Sequence, residues 1–302
     1  MTAYSVTCLA GDGIGPEVMA QASRALSAAG RLHRFEIEEQ HVPFGADARM
    51  RVGHPFPASS RQAALEADAI LTATIDRKLL TTLEGELDLR AAVLRVRLQA
   101  ASVTIMAPLG TEDRDWTLAR AIESACTSRA TLTLVSGDEG WGEVAEEAAE
   151  DAGLLYTRLS PRAAVRAFAS RPGAFDVVAC DAPFLVPLSE VAWFDDGRRV
   201  LAWGRLAAAG PSVFGPSHGT ALDIAGQGVA DPGSMLLAAS LMLGEGLRER
   251  GAASTLASAV AYVCGNGLRD ASVLPLSGEV TDAVLARFPH SLTNAEFYTE
   301  AV

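Results

Sequence analysis

The chain opens with an apolar run, "YSVTCLA" (4–10). It gives way at "GDGIGPE" to a stretch with helical spacing, "EVMAQASRALSAAG" (17–30). A short run rich in β-branched residues reads as a strand. Pro16 suits a first helical turn, where its missing N–H would have no intrahelical partner in any case. The alternation then repeats. "RFEIEEQHV" (34–42) predicts a strand, a turn-rich stretch follows from Pro43 to Pro57, and "ASSRQAALEA" (58–67) predicts a helix before the strand "DAILTATI" (68–75). A second set starts at "ASVTIMAPLG" (101–110): a helix over 115–128, a strand over 130–136, helices over 141–153 and 161–170, and a strand over 175–180. Two apolar helices, 233–247 and 252–268, end in glycine-containing segments. Strands alternating with helices predict an α/β protein with a mostly parallel central sheet flanked by helices.

Size and composition narrow the picture. At 302 residues the chain exceeds the usual single-core limit, so one large or two closely joined α/β domains are expected. Apolar residues make up 49% and charged residues 21%, which excludes disorder as the main state. The net charge of −12 argues against a nucleic-acid or anionic-membrane surface. Cys8, Cys126, Cys180 and Cys264 form no CxxC pair and sit in apolar surroundings, as free thiols of a reducing compartment do. With no basic–apolar–small leader and no uncharged run of bilayer length, a soluble cytoplasmic protein is expected.

Chemistry concentrates in "HGTALDIAGQGVADP" (218–232), where glycines, a histidine and acids share one loop-like segment. This segment, together with "GDGIGPEV" (11–18), "VPFGADARMRVGHPFP" (42–57) and "GEVTDAVLARF" (278–288), resembles the β-decarboxylating dehydrogenases, the isopropylmalate and isocitrate dehydrogenases and their relatives. The similarity runs nearly end to end, with four separated motifs in order. It implies an isopropylmalate dehydrogenase-like two-domain fold: residues 1–100 and 198–302 in a cofactor-type domain, and 101–197 in a substrate and dimerisation domain lacking the family's arm. It also implies a homodimer, paired through helices resembling "WGEVAEEAAED" and "LSEVAWF".

By the same resemblance, Gly13, Ile14, His218, Gly219, Thr220, Ala221, Asp223, Ile224 and Asp231 make a dinucleotide site. Glycines admit close backbone approach, the imidazole contacts adenine, and a carboxylate accepts from ribose hydroxyls. Asp223 would repel a 2′-phosphate, so NAD is the expected cofactor. The reactive parts depart from the family pattern. Val186 and Glu190 stand where the resemblance places two metal-binding aspartates, Arg162 where it places a third from the partner subunit, and Gly137 where it places a lysine. Lys78 is the only lysine in the chain. The segment that would hold the catalytic tyrosine is reduced to "GTEDR" (110–114). No divalent metal site is therefore expected.

What remains near the cleft offers a different set. Asp76, Lys78, Cys180, Asp181 and Glu190 are candidate catalytic groups, and Arg90, Arg97 and Arg162 are candidate binders of an anionic substrate. The expectation is a repurposed, metal-independent enzyme that recognises NAD(H) or a related nucleotide or anionic small molecule, with a place in specialised metabolism. Two alternatives stand beside it: a non-catalytic or regulatory subunit forming a heteromer with a full-length relative, and an NAD-dependent oxidoreductase acting without decarboxylation.

Overall fold

The computed structural model describes residues 2–74, 81–83, 85–98, 102–128, 131–193, 200–267 and 276–289. Asp76 and Lys78 lie outside them. Ten strands form one sheet: β1 (Thr2–Leu9), β2 (Phe35–His41), β3 (Ala69–Thr72), β4 (Leu89–Arg97), β5 (Ser102–Pro108), β6 (Leu132–Val135), β7 (Tyr156–Leu159), β8 (Val177–Cys180), β9 (Leu201–Ala207) and β10 (Ser212–Pro216). Their order is β2-β1-β3-β10-β9-β4-β5-β8-β6-β7. Pairing is parallel within β2-β1-β3-β10 and within β5-β8-β6-β7, and antiparallel where β9 and β4 join the two groups. The expected α/β architecture with a mostly parallel sheet is thus observed. Because β4 and β5 run in opposite directions, the two parallel groups end at opposite edges of the sheet.

Alternation along each strand builds two apolar layers. Ala91 and Val93 of β4, Met106 of β5 and Ala179 of β8 face one layer; Ala92, Leu94, Ile105, Val178 and Cys180 face the other. The first layer is closed by the helices Gly15–His33, Arg114–Ser128, Glu139–Asp151, Gly233–Leu241, Arg250–Tyr262 and Ser277–Leu285. The second is closed by Ala58–Glu66, Pro161–Ser170 and Leu185–Trp193. Interior strands β3, β6 and β8 are buried at every residue, as parallel strands covered on both faces must be. The outer strands β2 and β7 carry the polar residues that discourage further pairing.

Several elements escape the periodicity of the sequence: β4, β7, β9, β10 and a short helix, Ala46–Val52. The two apolar helices are also shorter than their patterns predict. Each turns into a π-helical segment, Met242–Gly246 and Val263–Gly267. Among the described residues no helix is long and apolar enough to cross a membrane.

Candidate functional site

The loops following β1 and β10 meet at one sheet edge. The Ile14 amide donates to the Thr220 carbonyl at 2.8 Å. A Cβ on Gly13, whose φ is +64°, would stand 1.9 Å from that oxygen. Only glycine tolerates both the backbone angle and the contact. Asp12 ties in the next loop by accepting from the Ala46 amide at 2.7 Å. Glu17, in the first turn of the Gly15–His33 helix, accepts from the amides of Gly228 at 3.0 Å and Ala230 at 3.2 Å. The 217–232 loop is therefore pinned at both ends to the strand-helix junction after β1.

Within that loop the backbone turns three times through positive φ, at Ala221, Gly226 and Gly228. Asp223 and Gly219 are exposed, while Ile224 is half-buried against the apolar layer. The Gln227 side chain donates to the Asp223 carbonyl at 2.8 Å. His218 Nδ1 lies 3.1 Å from the Gly219 carbonyl, which makes Nδ1 the protonated nitrogen. Its Nε2 is then an acceptor, buried and without a hydrogen-bond partner among the described residues. Burial lowers the His218 pKa, opposed in part by the Gly219 bond and by Asp231. The imidazole is neutral at pH 7 and its open lone pair awaits a donor. Asp231 has a second use: Oδ1 accepts from the Gly233 amide at 2.9 Å, at the start of the Gly233–Leu241 helix.

A second polar cluster occupies the opposite edge, where β5, β6 and β8 end. Its hub is Arg114, which the sequence pattern does not single out. Arg114 Nη1 donates to Asp138 at 2.8 Å and Nη2 to Asp181 at 2.9 Å, with its guanidinium 5.2 Å from the Trp141 ring centroid. Ser136 Oγ donates to Asp181 at 2.8 Å and accepts from the Asp138 amide at 3.0 Å. Asp138 in turn caps the Glu139–Asp151 helix through the Trp141 amide. That bond, then Arg114, lowers the Asp138 pKa. The bond to Asp138 is the first cause of the raised Arg114 pKa. One cation serves two carboxylates, and the cluster closes on itself.

The candidate catalytic set is accordingly dispersed. Asp181 is held by Arg114 and Ser136 rather than poised as a base. Cys180 is 0% exposed, and burial followed by the nearby Asp181 raises its pKa, so it is an inert core thiol and no nucleophile. Glu190 is half-buried on the Leu185–Trp193 helix, one turn from Val186, which is 58% exposed. Arg162 is exposed in the first turn of the Pro161–Ser170 helix.

The expected arginine clamp does not assemble. Arg90 and Arg97 stand at opposite ends of β4, seven residues apart, which separates them by roughly 23 Å. No small anion can touch both. Arg90 is engaged by Asp88 at 2.7 Å and Asp113 at 3.0 Å, and Asp113 is the leading cause of its raised pKa. Arg97 is fully buried and donates to the Leu98 carbonyl at 3.0 Å. A Cβ on Gly137 would meet nothing within 4 Å among the described residues, so a side chain there would have room. Glu17 and Arg114 are the two residues that sequence reasoning missed. Their only advance signals are an acid in a first helical turn and an arginine in the shortened "GTEDR" connection.

The ten-stranded sheet, covered by helices on both faces and carrying a glycine-built loop pair at one edge, defines an α/β protein of the mostly parallel class. The chain belongs to the isocitrate/isopropylmalate dehydrogenase family, whose model matches residues 5–102 and 117–283. It is 31% identical over 300 residues to the 3-isopropylmalate dehydrogenase of Listeria innocua, covering 80% of this chain and 85% of that protein. Against the enzyme of the same name from Streptococcus mutans, identity is 28% and coverage 93% of this chain and 98% of that protein. That alignment spans 342 positions against 302 residues, so at least 40 positions have no counterpart here. A β-decarboxylating dehydrogenase from Thermococcus kodakarensis shares the fold, with TM-score 0.76, 23% identity and coverage of 94% of this chain and 96% of that one. The stretch between the matched segments, 103–116, contains Arg114 and the "GTEDR" connection.

Proposed function

We propose that this chain binds NAD(H), or a closely related adenine nucleotide, at the 217–232 loop, and does so without a divalent metal. The observation that carries the reading is the buried Nε2 of His218, an acceptor without a partner in a loop already locked by Thr220 and Glu17. An exocyclic amino group of adenine would supply the missing donor. Exposed Asp223 would accept from ribose hydroxyls and disfavour a 2′-phosphate. Family membership supports NAD in general terms.

The donor set argues against the family's metal. A hard dication needs several oxygens, and the positions that the resemblance assigns to the metal carry one carboxylate, Glu190, with the hydrocarbon of Val186 and the cation of Arg162 at the other two. Without those ligands, a lysine at 137 and the tyrosine segment, oxidative decarboxylation of a malate-type acid would lack the electrophile, base and acid that the resemblance assigns to it. A metal-free reaction would fall to Asp76 and Lys78; the alternative, a non-catalytic subunit of a mixed oligomer, draws its support from the engagement of Asp181 and the burial of Cys180. We further propose a homodimer through the Leu185–Trp193 helix, on which Val186 is 58% exposed; the Glu139–Asp151 helix, expected from the sequence to share that interface, packs on the opposite face of the sheet.

Calorimetric titration with NAD+, NADP+ and ADP, each with and without Mg²⁺, tests the proposal. The expected result is binding of NAD+ in preference to NADP+, unchanged by Mg²⁺, with no NADH formed from 3-isopropylmalate or isocitrate. Absence of nucleotide binding overturns the first claim, and Mg²⁺-dependent NADH formation overturns the second. Co-expression with a full-length relative separates the oligomeric alternatives, since a mixed oligomer in place of a homodimer supports the non-catalytic subunit.

A further inference from the structure

At the outer end of the sheet three chemically different ligand groups converge. The parallel register of β1 and β2 pairs Cys8 with His41 and Val6 with Glu39. Side chains two apart on a strand share a face, so Cys8, Glu39 and His41 all point toward the Gly15–His33 helix. They meet at one atom. Glu39 Oε2 lies 3.0 Å from His41 Nε2 and 3.9 Å from Cys8 Sγ, and accepts a hydrogen bond from Ser23 Oγ on the covering helix. The three ligand atoms are all within 4.8 Å of one another. Tetrahedral bonds of 2.0–2.3 Å would hold such atoms about 3.3–3.6 Å apart, so the Glu39–His41 pair widens slightly and the sulfur closes in, both within reach of side-chain rotation.

We infer that Cys8, Glu39 and His41 form a binding site for a single Zn²⁺-class ion. A thiolate, an imidazole and a carboxylate suit a borderline-soft cation and not Mg²⁺ or Ca²⁺, which take oxygen alone. Cys8 is 1% exposed and supplies the inner ligand, whereas the His41 side chain is 53% exposed and leaves a fourth position open to water. Ser23 fixes the carboxylate from the helix side, as supporting donors around metal sites do. On binding, the Cys8 S–H bond breaks and its proton passes to the buffer while the sulfur electron pair forms the bond to the metal. His41 Nε2, which donates to Glu39 in the free protein, gives up its proton as solvent protonates Nδ1, and its lone pair forms the second bond. Burial and Glu39 keep the thiol protonated in the absence of metal, so binding strengthens with rising pH.

The position gives the ion a structural consequence. Cys8 lies three residues before Gly11 and His41 four before Gly45, and the two loops that follow are joined through Asp12 and the Ala46 amide. A bound ion would fasten the edge strand β2 to β1 at the root of both loops. This site is independent of the nucleotide reading.

The test is titration of the reduced, chelator-treated full chain with Zn²⁺ and, separately, Co²⁺. One ion per chain is expected, with a rise in thermal midpoint, a proton released per ion, and a thiolate-to-cobalt charge-transfer band in the near ultraviolet. Cys8→Ser removes the band, and His41→Gln, at an exposed position that folding tolerates, removes stoichiometric binding. Ser23→Ala weakens binding by about tenfold. Cys126→Ser, at the exposed cysteine elsewhere in the chain, leaves the band intact. The site is overturned if no stoichiometric ion binds, if binding survives His41→Gln unchanged, or if the band follows Cys126 in place of Cys8.

Discussion

Gly13 and Thr220 stand 207 positions apart in sequence, yet the Thr220 carbonyl fills the space a Gly13 side chain would need, 1.9 Å from the ideal Cβ. Gly13→Ala must push the two loops apart as well as hold alanine at φ +64°. A loss of roughly 2–3 kcal/mol in unfolding free energy is expected, with loss of NAD+ binding. Gly53→Ala is the control: φ is +80° but nothing lies within 4 Å, so only the backbone strain of roughly 1 kcal/mol applies. Denaturant unfolding and calorimetry distinguish the two. Equal destabilisation would mean that the Gly13–Thr220 contact relaxes freely.

Glu17 holds the far end of the same loop through two amides, Gly228 and Ala230. Its carboxylate also sits favourably in a first helical turn. Glu17→Ala leaves both donors without that acceptor, a change of about 1–3 kcal/mol where water cannot replace it. Glu17→Gln keeps an acceptor for one of them. NAD+ affinity should fall in the order wild type, Gln, Ala, and amide exchange at Gly228 and Ala230 should quicken in the same order.

Arg114 links stability to pH through Asp138. The Trp141 amide and then Arg114 hold the Asp138 pKa below its usual value. A depressed carboxylate pKa contributes stability that is present above the unfolded value, near 4, and is lost as pH falls through the folded one. Arg114→Met removes the second cause and leaves the first. The variant should melt a few degrees lower at pH 7, and the difference from wild type should shrink below about pH 4. A difference independent of pH would assign the effect to packing on Trp141 alone.

The parts of the fold legible in advance are those whose signal is local. β1, β3, β6 and β8 are short apolar runs, and their helices carry a periodic apolar face. β9 and β10 were hidden by Gly204 and Gly215, residues that usually weaken a strand. The structure supplies the reason: a Cβ at 204 would stand 2.7 Å from Phe214, and one at 215 would stand 2.9 Å from Trp203. Each glycine makes room for a ring on the neighbouring strand. β4 was masked by Arg95 and Arg97, charges that a sequence pattern assigns to solvent. In the candidate site the loop residues were legible because the motif is contiguous. Glu17 and Arg114 were not, because their partners lie 211 and 67 positions away.

Glu245 explains how β4 can bury an arginine. It lies in the π-helical segment Met242–Gly246 and meets Arg120 Nη2 at 3.2 Å, Arg95 Nη2 at 3.7 Å and Ser124 Oγ at 2.8 Å. Burial lowers the Arg95 pKa and Glu245 opposes it. Glu245→Ala removes the carboxylate that Arg95 and Arg120 share, while Arg120 keeps Glu123 and Arg95 keeps Thr104 and Ser240, and a loss of about 3 kcal/mol is expected in denaturant unfolding. Glu123 pairs with Arg120 and Arg248, both at 2.6 Å, but its side chain is 43% exposed. Glu123→Ala should cost under about 1 kcal/mol. Similar losses for both would place the network in solvent.

The neutral state of His218 makes nucleotide binding a pH-dependent property. Burial is the leading cause of its lowered pKa, so the folded protein resists protonation more than an unfolded chain with a value near 6.5. The corresponding stability is complete above pH 6.5 and is lost as pH falls through the lowered folded value. Protonation also converts Nε2 from acceptor to donor, which sets it against the donor expected from adenine. NAD+ affinity should thus be flat above neutrality and fall once the pH passes below the lowered folded value of His218, about tenfold per pH unit once the imidazolium dominates. His218→Asn retains a hydrogen-bonding side chain but does not titrate in this range, so its affinity should be lower and level with pH. Calorimetry at pH 5 to 8 reads both curves. A wild-type profile that stays level through the pH at which NMR shows the His218 imidazole protonating would remove Nε2 from the binding contact.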